Sequence, residues 1–322
     1  MRLAALTGRF VLYYVKETLM LPLSAYRDAI NLDQPFPRPK TDGRTDQQLF
    51  QAVLAGLPEG HLPEDGPDYA SMHSTSEIQA NLRLVLMGLR ASQISDDAQQ
   101  AANVLLYRNS AELGRTTGMN LMRVAEAMPE SDYGAARHVA LWRGDVRELV
   151  ADAVINAALP NLQGCTDPDH PCIDNYIHAQ AGPWLREDCK TIHDMQGRND
   201  VVGGAKLTRG YRLPANYVLH TVSPKLQGAE VTDTDRLALA SCYTSCLDLA
   251  VEKGDIHTIS FCALSTGKNG FPFEEATNIA LSTVNKWLAQ HGTNQIKLVI
   301  FNIFEDEGAR RYIDALKNWV ED

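Results

Sequence analysis

Residues 154–178 read VINAALPNLQGCTDPDHPCIDNYIH, and the division of this stretch decides the fold. The apolar run Ala153-Val154-Ile155 reads as a buried strand that stops at Asn156. A loop follows with Cys165, His170 and Cys172, and a helix starting near Ile173 carries Asp174 and His178. Strand, loop and helix in that order belong to an open α/β sheet, which binds ligands at the carboxyl ends of its strands. The pattern C-x4-H-x-C supplies three candidate metal ligands. Zinc favours thiolate and imidazole; structural sites normally use four such groups, and three plus an open position is the catalytic arrangement. The loop holds no fourth Cys or His, though Asp167, Asp169 and Asp174 offer oxygens. Spacing alone leaves a second reading open, in which Cys165 and Cys172 are ordinary thiols and His170 is a polar loop residue.

Outward from this stretch the pattern repeats. Strands are expected over 139–142, 153–156, 205–208, 217–220, 258–263 and 297–301. Helices are expected over 173–192 (interrupted near Gly182-Pro183), 235–252, 273–291 and 306–320. Strands alternating with helices predict a mainly parallel sheet covered on both faces. Three loops then emerge at strand carboxyl ends, 156–172, 264–272 and 302–306. The second contains Gly267 and Gly270 and runs into a helix start, which suits a phosphate or diphosphate held by backbone N–H groups.

Residues 1 to about 125 read as helical. Thr45–Gln48 and Ser74–Glu77 each match the S/T-x-x-E/Q capping box ahead of an apolar-periodic run. After Ser74, Ile78, Leu82, Val85, Leu86 and Leu89 keep helical spacing. A further helix over 96–112 turns Ala101, Val104, Leu105 and Ala111 inward. Residues 33–44 are Pro-rich and read as a connector, and 59–68 as a second weak joint. No chemical motif occurs here, so the region reads as a helical appendage packed on the rest. The division is 1–130, a helical N-terminal extension, and 131–322, the α/β domain.

Net charge is -10 with no basic block to offset it, which argues against a nucleic-acid partner. Six cysteines in 322 residues do not suggest a disulfide framework and fit a reducing, cytoplasmic setting. Residues 10–23 are apolar, but Lys16 and Glu17 interrupt them, so they read as an amphipathic helix and not as a membrane span or signal peptide.

Several motifs in sequence order resemble the macrodomain family. They are Arg143-Gly144-Asp145-Val146, DAVINAA over 152–158, Gly164-Cys165, HPCIDN over 170–175, Ile177-His178 and Ala181-Gly182. YVLHTVSP over 217–224, SCYTSC over 241–246 and Ser265-Thr266-Gly267-x-x-Gly270-Phe271-Pro272 continue the match. The Cys-x4-His-x-Cys insertion resembles the zinc-containing branch, the protein-ADP-ribose hydrolases. The resemblance implies a three-layer α/β/α sandwich with a mainly parallel mixed sheet, preceded by the helical N-terminal region.

It also implies a site. Asp145 and Val146 would meet the adenine. Ser265, Thr266, Gly267, Lys268, Asn269, Gly270 and Phe271 would form the diphosphate loop. Asn156 would contact the distal ribose, with Cys165, His170 and Cys172 holding one zinc beside it. Asn156, Asp174 and His178 are the candidate catalytic residues, with His178 either orienting Asp174 or filling the core. The implied partners are ADP-ribose and mono-ADP-ribosylated protein, with no nucleic acid or membrane. The implied reaction is zinc-dependent removal of mono-ADP-ribose from protein side chains. Two positions depart from the family pattern. Leu159 stands where the family's Asn-Ala-Ala-Asn has its second Asn, and Lys268-Asn269 replaces the usual Val-Phe between the glycines. These departures carry the alternative, an ADP-ribose reader that binds without efficient hydrolysis.

Overall fold

The computed structural model describes residues 20–62, 67–69, 72–167, 169–170, 172–226, 228 and 230–320. Most of the apolar stretch 10–23 and the middle of the joint 59–68 therefore lie outside the described residues.

Six strands form one sheet: β1 Val139–Trp142, β2 Ala153–Ala157, β3 Ala205–Arg209, β4 Tyr217–Thr221, β5 Thr258–Cys262 and β6 Leu298–Asn302. Their order across the sheet is β1-β6-β5-β2-β4-β3. All neighbours run parallel except β3, which pairs antiparallel with β4 at one edge. Every residue of β6 is buried, as are the first four of both β2 and β5. Successive side chains of a strand point to opposite faces, so unbroken burial means that helices cover both faces of the sheet.

The crossover helices fall where the apolar spacing puts them. α4 (Ile173–Ala181) and α5 (Pro183–Gln196) are separated at Gly182, and α6 spans Asp233–Lys253. α7 covers Phe273–His291 and α8 Asp306–Lys317. Gly182 has φ +92, a backbone conformation that L side chains rarely adopt, and Pro183 opens the next helix.

Among the described residues three helices of ten residues or more precede the sheet: α1 Asp46–Ala55, α2 Thr75–Gly88 and α3 Asp96–Glu112. The Thr45 box is complete, with Thr45 and Gln48 each bonding the other's backbone. The Ser74 box is half formed: Ser74 accepts from the Glu77 N–H, but Glu77 bonds the Ser74 hydroxyl and not its backbone. Ala111 is exposed, against expectation, because α3 buries Ala101, Ala102, Leu105 and Leu106 and so turns Ala111 outward. Thr116–Thr117 pairs with Leu149–Val150 as a short strand unmarked by any alternation.

These helices build their own core around Leu49, Phe50, Ile78, Leu82 and Leu105, and it reaches Ala179 and Tyr176 on α4. Leu23, Tyr26, Ile30 and Leu32 pack instead in the core of the sheet. Tyr26 Oη accepts the Leu207 N–H at 2.9 Å, which satisfies part of the open edge of β3. Among the described residues no helix is long and apolar enough to cross a membrane.

Candidate functional site

β1, β6, β5, β2 and β4 are parallel, so their carboxyl ends share one edge of the sheet. From one side to the other, that edge carries the Asp145 turn after β1, the loop after β6, the glycine loop after β5 and the cysteine loop after β2. The segment after β4 flanks the last of these.

The cysteine loop brings its three candidate ligands together. The ligand atoms of Cys165, His170 and Cys172 all lie within 4.8 Å of one another. Cys165 Sγ is 3.6 Å from His170 Nδ1. Two sulfurs and an imidazole at this spacing suit zinc and need only a small contraction to reach bonding distances near 2.0–2.3 Å. Burial pushes the Cys172 thiol up to about 12, partly offset by the Asn175 N–H, so in the absence of a cation it is protonated. The loop is anchored by side chains that sequence reading passed over. Asn175 Nδ2 donates to the Asp167 and His170 carbonyls at 2.6 and 2.9 Å. Arg186 holds the Gln163 and Cys165 carbonyls.

Asp174 is 3% exposed and faces the loop and the strand end. One carboxylate oxygen accepts the Cys165 N–H at 2.7 Å; the other accepts Asn156 Nδ2 at 2.7 Å. His178 Nε2 lies 3.3 Å from the second oxygen, one helical turn on, in an alignment short of a hydrogen bond. Burial alone would raise the Asp174 pKa, but His178, Asn156 and the Cys165 N–H outweigh it and hold the carboxyl below its usual range. Burial, aided by the Arg186 charge, lowers His178 despite Asp174, which leaves the ring neutral. The carboxylate expected to address a ribose is thus engaged on both oxygens by the protein.

Asn156, at the end of β2, is fully buried, and its Oδ1 has no partner among the described residues. Its Nδ2 also meets His220 Nδ1 at 3.1 Å, across from it in the β2–β4 register. His220 Nε2 is therefore the protonated nitrogen, facing Thr208 Oγ1 at 2.9 Å. Burial drives His220 down to about 3. His178, Cys189 and His220 form a second, fully buried set of metal-type groups. Both nitrogens of His220 are already engaged, and the Arg186 charge acts on His178 and Cys189, so this set reads as core wiring. His220 ends an apolar run as Asn156 does, a signal that could have marked it.

The glycine loop is built from backbone. Gly270 N–H bonds the Gly267 carbonyl at 2.9 Å and Phe271 N–H the Ser265 carbonyl at 3.0 Å, closing a ring. Ser265 has φ +65 and is held there by its hydroxyl on the Pro224 carbonyl at 2.7 Å. Asn269 ties to the segment after β4 through Ser223 Oγ at 3.0 Å and the Leu226 N–H at 2.9 Å. The Thr266 hydroxyl bonds the Ala263 carbonyl, and Phe271 is buried. Residues 264–265 form a hydrogen-bonded turn that takes up the Thr266 N–H, and among the described residues the N–H groups of Gly267, Lys268 and Asn269 have no hydrogen-bond partner. Successive free N–H groups ahead of a helix start make a concavity for an anion. Lys268 is exposed on this loop.

At the far side, Asp145 caps the short turn Val146–Glu148 and accepts the Arg147 N–H at 2.9 Å. Arg147 also pairs with that carboxylate through its guanidinium and lies over the Tyr176 ring, 5.1 Å from its centroid. Burial works against the Asp145 charge, but Arg147 prevails and holds its carboxyl below the usual range. Val146 is buried. Asn302 Nδ2 bonds the Gly144 carbonyl at 2.9 Å, drawing the loop after β6 against this turn. In that loop Phe304 is 72% exposed, a large aromatic at the strand ends that sequence reading missed although it directly follows an apolar run.

A Macro domain model matches residues 155–280. A protein-ADP-ribose hydrolase of Staphylococcus aureus (strain MRSA252) is 43% identical over 184 residues, 57% of this chain and 68% of the relative. A protein of the same name from Treponema medium is 44% identical over 172 residues, 53% of this chain and 64% of that one. The crystal structure of a Trypanosoma brucei macrodomain in complex with ADP-ribose superposes with TM-score 0.52 at 36% identity, over 63% of this chain and 77% of that one. With the sheet order, the strand-end loops and these matches in agreement, the chain belongs to the macro domain family.

Proposed function

We propose that this chain is a protein-ADP-ribose hydrolase that removes mono-ADP-ribose from protein side chains with the help of one zinc ion. The carrying observation is the order of groups along the sheet edge. An aromatic and a carboxylate come first, then a nest of free N–H groups, then a thiol–imidazole cluster. Adenosine, diphosphate and distal ribose follow one another in the same order along ADP-ribose. The S. aureus relative's name and the ADP-ribose bound to the T. brucei macrodomain support the reading.

In this reading Phe304 offers its ring to the adenine, and Asp145 accepts from the adenine amino group through a lone pair that Arg147 leaves open. The N–H groups of 267–269 hold the diphosphate. Cys165, His170 and Cys172 are the zinc ligands, and bound zinc supplies Lewis acidity beside the distal ribose. Asp174 acts mainly by position: it holds Asn156 at the strand end and the Cys165 N–H at the loop. For Asp174 to take a proton from water, one of its bonds must first open. A reader without turnover is the second reading, favoured by Leu159, which is 43% exposed where the family has Asn, and by the engaged Asp174.

Calorimetry with ADP-ribose, metal analysis of the same sample and a single-turnover assay on ADP-ribosylated protein test the proposal together. Binding, one zinc per chain and release of ADP-ribose are expected. Binding without release from Asp-, Glu-, Ser- or Arg-linked substrates leaves the reader; no binding ends both readings.

A further inference from the structure

Arg186 on α5 is 2% exposed, and among the described residues no carboxylate lies within ion-pair distance of its guanidinium. Its partners are carbonyls. Nη1 donates to Gln163 O at 2.5 Å, and Nη2 to Met87 O at 2.9 Å and Cys165 O at 3.1 Å. Two of these belong to the cysteine loop; the third lies near the end of α2 in the helical region. Burying a cation without an ion pair is costly, and burial does lower the Arg186 pKa. A planar fork that reaches several acceptors at once is what a guanidinium supplies and an ammonium does not.

The loop is shaped around this side chain. Gly164, between the two carbonyls, has φ +78, and a Cβ there would meet Arg186 Nη1 at 2.6 Å and the His178 ring at 2.7 Å. The same turn sends the Cys165 N–H to Asp174. Arg186 from one side and Asp174 from the other thus grip the peptide groups on either side of Cys165. A neighbouring tie, Ser92 Oγ to Glu187 at 3.0 Å, joins the helical region to α5 without touching the loop.

We propose that Arg186 is a positioning residue for the metal loop, and that through the Met87 carbonyl the N-terminal helical region becomes part of what holds Cys165 in place. The proposal rests on the zinc reading above. It gives the helical region a task at the site: α2 supplies one of the acceptors that fix the guanidinium, and the guanidinium fixes the loop.

The test is a cobalt(II) titration of the full chain, read by the thiolate-to-cobalt absorption band and by chelator competition. Arg186→Lys and Arg186→Met are compared with Glu187→Gln, alongside calorimetry with ADP-ribose. Groups that orient metal ligands typically change metal affinity by about 10–100-fold. The expected order of cobalt affinity is wild type, then Arg186→Lys, then Arg186→Met. Glu187→Gln should match wild type, and ADP-ribose affinity should be unchanged in Arg186→Lys because the glycine loop lies elsewhere. If Arg186→Met fails to fold, Arg186→Lys carries the test. A lower melting temperature with wild-type cobalt affinity in Arg186→Lys overturns the proposal, since it would make Arg186 a purely structural residue. A wild-type chain with no thiolate band refutes the zinc reading before any variant is examined, and the proposal falls with it.

Discussion

The loops that leave β2 and β5 stand close together on one sheet edge and hold their shapes in opposite ways. The cysteine loop is fixed from outside by buried side chains: Asp174 on the Cys165 N–H, Asn175 on two carbonyls and Arg186 on two more. The glycine loop closes on itself through two backbone bonds, leans on the segment after β4 through Ser265 and Asn269, and leaves the N–H groups of Gly267, Lys268 and Asn269 without a partner among the described residues. The first shape suits a cation, which needs side-chain ligands in one geometry and carbonyls turned away. The second suits an anion, which needs only N–H groups and room for a close approach. Metal binding should therefore be fragile to side-chain substitution in and around its loop, and anion binding should not.

The largest effect tests that separation directly. Cys165→Ala or Cys172→Ala should remove most of the zinc, from about one per chain, and with it the turnover. Affinity for free ADP-ribose should remain, because the glycine loop makes no bond to either cysteine. Metal analysis and calorimetry on one preparation check this. Joint loss of zinc and ligand binding would mean that the two loops are one cooperative unit.

Next in size is Asp174→Ala. It leaves the Cys165 N–H and the Asn156 amide without their shared acceptor, and a buried group left unpaired costs about 1–3 kcal/mol. The single-turnover rate should fall by ~10²–10⁴, the scale of a positioned acid or base. Zinc occupancy should fall as well. That loss separates a positioning role from a purely proton-transferring one, which would leave the metal in place.

The difference between the loops also explains what could be read before the fold was known. The cluster of Cys165, His170 and Cys172 was legible because candidate metal ligands stand out as residue types at short spacing. The glycines of the second loop were legible because glycine marks where backbone must do the work. The strands were legible from unbroken apolar runs, and α7 was placed over 273–291 as observed. The grip on the cysteine loop was not legible. Arg186 meets carbonyls at 87, 163 and 165, and no periodicity joins positions so far apart. Asp145 was legible as a turn residue, but the seat of its partner Arg147 over the Tyr176 ring, thirty-one positions from Asp145, was not. Ala111 was misjudged because spacing gives a helix face and not its width.

A smaller effect is expected at the opposite end of the edge. Asp145→Ala should weaken ADP-ribose binding by about 1.5 kcal/mol, the lower end for a hydrogen bond to a charged group, since Arg147 already occupies much of the carboxylate. Zinc content should not change. If affinity is unaltered by calorimetry, Asp145 only caps its turn.

The smallest effect belongs to Lys268, and it sharpens the comparison most. The free N–H groups of the glycine loop come from its backbone, so a side chain that ties nothing down, as Ser265 and Asn269 do, is open to change, and Lys268 is an exposed cation where the family usually has an apolar residue. No ion pair holds Lys268 among the described residues, so its ammonium is free to follow a charge at the mouth of the site. An exposed charge acts through solvent and is screened within about 10 Å at 0.1 M salt. Lys268→Ala should therefore weaken ADP-ribose binding by less than ~1 kcal/mol, the range of exposed ion pairs. It should also flatten the dependence of affinity on salt. A salt series on both proteins checks this: curves that converge at high salt place the ammonium near the diphosphate. Superimposed curves would leave the backbone as the loop's sole contribution, and the contrast with the cysteine loop would then be complete.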